Sequence, residues 1–325
     1  MSKPKVFVTR IIPNKGLDLV RDFCEVDLWT DELPPNRDQL LQRVKGIDGL
    51  LCLLTESIDA EVMDTAGPQL KVISNYAVGF DNIDVKAATE RKIPVGNTPD
   101  VLTDATADFS FALMMNAGRR VLEGDRYVRE GKWKTWGPML LLGNEMRGST
   151  LGLVGFGRIG KAMARRAMGF DMRVIYYDPN EVRRDPDTKA NPVDFETLLE
   201  ESDFISLHTP LTSDTHHLIG AESLGRMKSN AVLVNTSRGA VIDMDALYEA
   251  LRDRRIFAAG LDVTEPEPIP LDHPLLTLDN FIIAPHIASA SRSARDKMAW
   301  LAANNLIAGL EERHLPNCVN PQVHK

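Results

Sequence analysis

The sequence predicts an α/β protein of two doubly wound parallel-sheet domains, and three observations predict it. Short apolar runs alternate with helical patterns along almost the whole chain, which implies parallel strands with helices on both faces of each sheet. At 325 residues the chain is too long for one ordinary core, so two domains are expected. A glycine motif that opens a fresh strand–helix series lies near the middle of the chain, at Gly155.

The elements follow in order. Residues 6–8, 26–29, 49–54 and 70–74 read as strands, with helices at 36–44 and 59–66 opened by Asn36 and Asp59, both N-capping residue types. The stretch 103–119 reads as a long helix capped by Thr103 or Asp104 and stopped near Gly118. A strand at 151–154 then enters the motif, followed by an amphipathic stretch at 161–168 and a strand at 172–177. Later strands are expected at 204–207, 231–234, 257–261 and 281–284, and helices at about 221–228 and 243–253. The last helical pattern, 291–310, follows the final strand; its return to the first domain would make that domain discontinuous.

Composition narrows the function classes. Hydrophobic content of 43% and charged content of 26% are those of a globular protein. No apolar run reaches the roughly 18 residues of a membrane span, and Met1–Lys5 lead straight into a strand, so neither membrane nor signal peptide is expected. Cys24, Cys52 and Cys318 are scattered without metal-ligand spacing, which suggests a reducing cytoplasm and no metal. A net charge of −8 argues against a nucleic-acid surface.

The motif is Gly155-Phe156-Gly157-Arg158-Ile159-Gly160. In G-x-G-x-x-G the first glycine permits a tight turn, the second lets backbone approach a pyrophosphate, and the third lets helix pack on strand. The anion would rest on the helix N-terminus, where free N–H groups and the macrodipole favour it. Eighteen residues beyond Gly160, at the end of the next strand, stands Asp178, placed to accept from an adenosine ribose. A glycine triplet alone is weak; strand, helix and acid together indicate a dinucleotide site.

Three later strand ends carry polar residues that a sheet core would not choose: Asn235-Thr236-Ser237-Arg238, Asp262 through Glu265-Pro266-Glu267-Pro268, and Pro285-His286. Open α/β sheets bind ligands outside the carboxyl ends of their strands, so Arg238, Glu267 and His286 are candidates for one crevice. Hydride transfer to a carbonyl needs a proton donor, and histidine titrates near neutrality. A carboxylate would orient the ring, and a guanidinium fork suits the carboxylate and carbonyl of a 2-oxo acid.

With Gly79-Phe80-Asp81-Asn82-Ile83-Asp84, His208-Thr209-Pro210-Leu211-Thr212 and Gly260-Leu261-Asp262-Val263 added, the chain resembles the D-isomer-specific 2-hydroxyacid dehydrogenases over nearly its whole length, and among them the glyoxylate/hydroxypyruvate reductases. The resemblance implies a Rossmann NAD-binding domain at 101–286, inserted in a flavodoxin-like substrate domain formed by 1–100 and 287–325. It implies that Arg238 binds substrate, Glu267 supports His286, and His286 is the acid/base. It places Thr106, Gly155, Phe156, Gly157, Arg158, Ile159, Gly160, Asp178, His208, Thr209, Pro210, Thr215, Thr236, Ser237, Arg238, Asp262, His286 and Ala288 at the cofactor, with Asp262 at the nicotinamide carboxamide. It places Leu53, Ala77, Val78, Gly79, Arg238 and His286 at the substrate, the amides of Val78 and Gly79 on its carboxylate. Trp136 would come from the partner subunit of a homodimer formed through 120–150.

Asp178 favours NAD(H), because a carboxylate accepts from a 2′-hydroxyl and repels a 2′-phosphate; NADP(H) stays possible through Arg183 and Arg184 just downstream. The expected reaction is reduction of glyoxylate, and of hydroxypyruvate, to the 2-hydroxy acid. Two alternatives stay open: a D-lactate-type or broad 2-oxo acid reductase of the same family, and a non-enzymatic dinucleotide-sensing binding protein.

Overall fold

In the computed structural model, which describes residues 3–181 and 183–324, the chain divides into two units. One comprises Met1–Leu102 with Ala290–Lys325, the other Thr103–Ser289.

The first unit opens with β1 (Lys5–Val8), α1 (Asn14–Phe23), β2 (Glu25–Leu28), α2 (Arg37–Arg43), β3 (Gly49–Cys52), α3 (Ala60–Ala66), β4 (Val72–Asn75), α4 (Val85–Glu90) and β5 (Val95–Gly96). Its sheet is parallel throughout in the order β2-β1-β3-β4-β5, the flavodoxin-like winding. Asn36 caps α2 through a capping box with Gln39, and Asp59 caps α3 at the Val62 amide. Helices α1 and α4 were not read from the sequence. α1 follows Pro13 and has no side-chain cap, so the usual start signal is missing. The strand expected over 49–54 ends at Cys52, because Leu53 turns off to donate its amide to the buried Glu56 carboxylate at 2.9 Å.

The second unit runs α5 (Thr103–Arg119), α6 (Val121–Arg129), β6 (Thr150–Val154), α7 (Arg158–Met168), β7 (Arg173–Tyr177), β8 (Asn191–Pro192), α8 (Phe195–Glu201), β9 (Phe204–Leu207), α9 (Ala221–Arg226), β10 (Val232–Asn235), α10 (Met244–Arg252), β11 (Ala258–Leu261) and β12 (Phe281–Ile283). The seven strands are parallel in the order β12-β11-β10-β9-β6-β7-β8. This is the doubly wound nucleotide-binding order, reversing direction between β6 and β9.

Period-two alternation divides each strand between two cores. Leu151, Leu153, Phe204, Val232, Val234 and Ala258 pack with residues of α5 and α7 on one face. Val154, Ile205, Leu207, Leu233, Ala259 and Leu261 pack with residues of α8, α9 and α10 on the other. Each such buried Leu, Ile, Val or Phe side chain contributes about 1.5–3 kcal/mol.

The chain then re-enters the first unit. α11 (Arg292–Leu310), capped by Ser291, packs on α1, β3 and β4. The approach to α1 is close: a Cβ on Gly16 would lie 2.1 Å from the Ala299 carbonyl oxygen, so only glycine fits there. Among the described residues no helix is long and apolar enough to cross a membrane.

Candidate active site

Because every strand of the second sheet is parallel, its carboxyl ends share one edge. Gly155 follows β6, Asp178 follows β7, His208 follows β9, Asp262 follows β11, and His286 lies three residues beyond β12.

The glycine loop is built as the motif requires. Gly155 has φ +90°, in the region that favours glycine, and a Cβ there would lie 2.6 Å from the His208 carbonyl oxygen. A Cβ on Gly160 would lie 2.3 Å from the Gly155 carbonyl oxygen, so the third glycine lets α7 close onto the turn. Gly157 differs, since a Cβ there would meet nothing within 4 Å. It is the N-cap of α7 without a side-chain cap, and the first turn of α7 holds no acid. An open cradle at an uncapped helix N-terminus fits a dinucleotide pyrophosphate. Phe156 turns its ring into the core, stacked on Tyr176 at 3.8 Å, so only its backbone faces the loop. That backbone N–H donates to Asp178 at 2.8 Å, and the other Asp178 oxygen accepts from Asn180 N–H at 2.9 Å. The acid is thereby tied to the motif. Arg158 and Ile159 form the first turn of α7, with Ile159 packed against the core.

The second cluster joins the three later strand ends. Gly239 lies so near Thr264 that a Cβ would be 2.0 Å from its carbonyl, which brings the Arg238 turn against the loop carrying Glu267. Arg238 is half-buried and donates through Nη1 to the Ser237 carbonyl at 2.9 Å. His286 Nδ1 and Glu267 Oε1 are 2.7 Å apart. An ionised carboxylate only accepts, so Nδ1 carries the hydrogen and Nε2 is the nitrogen turned to chemistry.

His286 sits at φ +55°, a strained conformation for a side-chain-bearing residue. The strain is held by Asp262. Its carbonyl accepts from His286 N–H at 2.9 Å, and its two carboxylate oxygens accept from Ile287 and Ala288 N–H at 2.7 Å each. Burial pushes the Asp262 carboxyl upward, and those two amide bonds oppose the rise. The sequence reading assigned Asp262 to a nicotinamide and did not see this anchoring, which depends on a segment returning from 25 residues away.

The remaining expected cofactor residues belong to the same unit. Thr236 is buried, with its hydroxyl 2.6 Å from that of Ser110 in α5, one turn beyond the buried Thr106. Ser237 N–H and Oγ both donate to the Asn235 side chain. Thr209 and Pro210 continue from His208, and Thr215 donates to the Pro210 carbonyl at 2.6 Å. His208 Nε2 lies 2.9 Å from Ser206 Oγ, and burial pushes its pKa down to about 3.

The expected substrate residues of the first unit form their own network. The carbonyls of Ala77, Val78 and Gly79 accept from Thr98 N–H, Asn97 Nδ2 and Asn75 Nδ2 at 2.8, 2.8 and 2.9 Å. Among the described residues the amides of Val78 and Gly79 have no protein partner. Asn82, which donates to the carbonyls of Leu53 and Glu56, ties the Leu53 turn to this loop. Asn82 stood in the 79–84 motif without a role of its own, and the buried Glu56 was missed because no sequence pattern marks it. In the second unit Trp136 is 78% exposed.

Comparison with known proteins decides what this edge belongs to. Residues 111–288 match the family model "D-isomer specific 2-hydroxyacid dehydrogenase, NAD binding domain". The chain belongs to this family. A glyoxylate reductase of Korarchaeum cryptofilum is 57% identical over 99% of this chain and 98% of its own length. Among solved structures, the TT0316 protein of Thermus thermophilus is 50% identical with a TM-score of 0.92, covering 97% of this chain and 99% of that one. The NADPH-dependent glyoxylate/hydroxypyruvate reductase of Sinorhizobium meliloti, solved with NADP and malonate, is 30% identical with a TM-score of 0.83 over 98% of each chain. The second unit is thus the nicotinamide-dinucleotide-binding domain of a 2-hydroxyacid dehydrogenase, an NAD(P)-dependent oxidoreductase. The cysteines stand apart from this chemistry: burial pushes the Cys24 thiol up to about 12 and the Cys52 thiol well above its ordinary range, so neither is a thiolate near neutrality.

Proposed function

We propose that the protein reduces glyoxylate, and hydroxypyruvate, to the 2-hydroxy acid, with NADH as preferred donor. The observation that carries this reading is the His286–Glu267 pair at 2.7 Å, carried on the sheet edge that also bears the glycine loop. Full-length similarity to a glyoxylate reductase supports the substrate.

The nicotinamide, when bound, supplies the hydride. His286 donates the proton from Nε2 to the carbonyl oxygen, while Glu267 holds the ring by Nδ1 and offsets the imidazolium charge. Arg238 binds the substrate carboxylate and polarises its carbonyl with its guanidinium fork. The unpartnered amides of Val78 and Gly79, whose carbonyls are all held, are suited to a carboxylate, with Leu53 at the pocket mouth; the first unit is accordingly assigned to substrate. Asp262 keeps His286 in its strained backbone conformation. Thr106, Thr209, Pro210, Thr215, Thr236, Ser237, His208 and Ala288 are assigned to the cofactor side, as turns and buried hydroxyls on or beside the same edge. The protein acts as a homodimer through the exposed apolar segment 121–142, whose Trp136 reaches the partner. Its free cysteines suit a reducing cytoplasm.

The NADH preference rests on Asp178, fixed by two backbone amides beside the glycine turn. Steady-state kcat/KM with glyoxylate, hydroxypyruvate and pyruvate, each with NADH and NADPH, tests the whole reading. Glyoxylate with NADH should be the best pair, and Asp178→Ala should lose at least about tenfold of the NADH-over-NADPH ratio, about 1.4 kcal/mol. A wild-type preference for NADPH overturns the cofactor assignment. Binding of NADH without turnover of any 2-oxo acid overturns the enzyme in favour of a dinucleotide-sensing protein.

A further inference from the structure

Away from the His286 pair, the same unit brings two histidines and a carboxylate together. His217 Nε2 lies 2.9 Å from Glu265 Oε2, and His216 Nε2 lies 4.0 Å from Glu265 Oε1. The two imidazole rings stack with centroids 4.0 Å apart, and one donor atom from each residue falls within 4.8 Å of the others. We propose that His216, His217 and Glu265 form a three-ligand site for a divalent transition ion of the zinc class.

The three side chains are close enough to share an ion once the stacked rings swing apart, so that both Nε2 lone pairs face one point. Zinc bonds of 2.0–2.2 Å at tetrahedral angles put neighbouring donor atoms about 3.4 Å apart. His217 Nε2 lies 2.9 Å from Oε2 and His216 Nε2 4.0 Å from Oε1 of the same carboxylate, and the donor atoms within 4.8 Å of one another are brought to that spacing by side-chain rotation. Two imidazoles and a carboxylate suit zinc, cobalt and nickel better than magnesium or calcium, which take oxygen donors. All three side chains are exposed, which leaves a coordination position open to water.

Both contributing loops are held by bonds that do not involve the ion. His217 adopts φ +51°, a conformation unusual for a non-glycine residue, and its N–H donates to the Ala240 carbonyl at 2.8 Å. His216 N–H donates to the Thr212 carbonyl at 3.0 Å, and Ile219 bridges to Ile242. On the other side Thr264 Oγ1 donates to the Pro266 carbonyl at 2.8 Å. A bound ion would therefore lock the 212–219 loop to the loop that also carries Glu267, two residues beyond Glu265. His216 and His217 are adjacent in the sequence, while the carboxylate comes from 48 residues beyond His217.

The test uses untagged full-length protein, stripped with a chelator, titrated with zinc chloride by calorimetry and with cobalt chloride by visible absorption. One equivalent should bind, with tetrahedral cobalt bands and a zinc-dependent rise in Tm. His217→Ala and Glu265→Gln should each weaken binding by more than about 10–100-fold, the loss typical of merely outer-shell partners. His286→Ala should leave it unchanged. Circular dichroism of the variants checks their folding. Absence of zinc binding by the wild-type protein overturns the proposal, as does binding that survives in folded His217→Ala and Glu265→Gln or disappears in His286→Ala.

Discussion

His286 can act as a proton donor only if its ring is held by one nitrogen and presented by the other, and a single 2.7 Å contact with Glu267 does both. His286→Ala should lower kcat for glyoxylate reduction by at least about 100-fold, the ordinary worth of a general acid. NADH affinity, followed by fluorescence, should stay within about threefold of wild type. Glu267→Ala should cost at least about tenfold in kcat with the same cofactor affinity, as a residue that orients the acid; near-normal turnover in either variant would remove the pair from catalysis. At this scale the sequence was informative for a physical reason. Arg238, Glu267 and His286 are polar residues three to six positions past the ends of β10, β11 and β12, where core packing gives no reason for them. Asp262 was expected at the nicotinamide by resemblance alone; that its carboxylate also accepts from the amides of Ile287 and Ala288 is visible only in the fold. No local pattern announces a bond of that kind.

At the level of elements, the strands and helices read correctly were those with a clear period and a clear boundary. α5 was legible over its full length, and β9 also, because long periodic or fully buried runs leave little choice. β5 and β8 are two residues each, too short to carry a period. α6 has no side-chain cap and buries none of its residues, so neither usual signal was present. The end of β9 carries a further consequence, through His208. Burial lowers its pKa from 6.5 to about 3, so below about pH 6.5 the unfolded chain binds a proton that the folded chain refuses. Its contribution to stability is complete above pH 6.5 and is lost progressively as the pH falls toward 3, at up to about 1.4 kcal/mol per pH unit. Urea midpoints at pH 7.5, 5.5 and 4.5 should fall more steeply for the wild type than for His208→Gln. Equal slopes would mean that the ring titrates normally.

For the molecule as a whole, parallel sheets covered on both faces were implied by strand–helix alternation, whereas an association surface over 120–150 was expected from resemblance alone. Val121, Leu122 and Val128 of α6, with Trp133, Trp136, Met139 and Leu142, are all about half exposed or more, an apolar stretch of the kind that marks a protein interface. Replacing Leu122 and Trp136 by Glu should convert the proposed dimer to monomer in sedimentation velocity without loss of the far-ultraviolet helix signal; a wild-type protein that sediments as a monomer would refute the assignment. The return of the chain through α11 has a consequence in time rather than in space. The first unit's β3 and β4 are packed by a helix that the ribosome makes only after the 187 residues from Thr103 to Ser289. At about 5–20 residues per second the wait is on the order of 10–40 s. Through that interval β3 and β4 lack the helix that covers them, while the unit made in between already has everything it needs to fold.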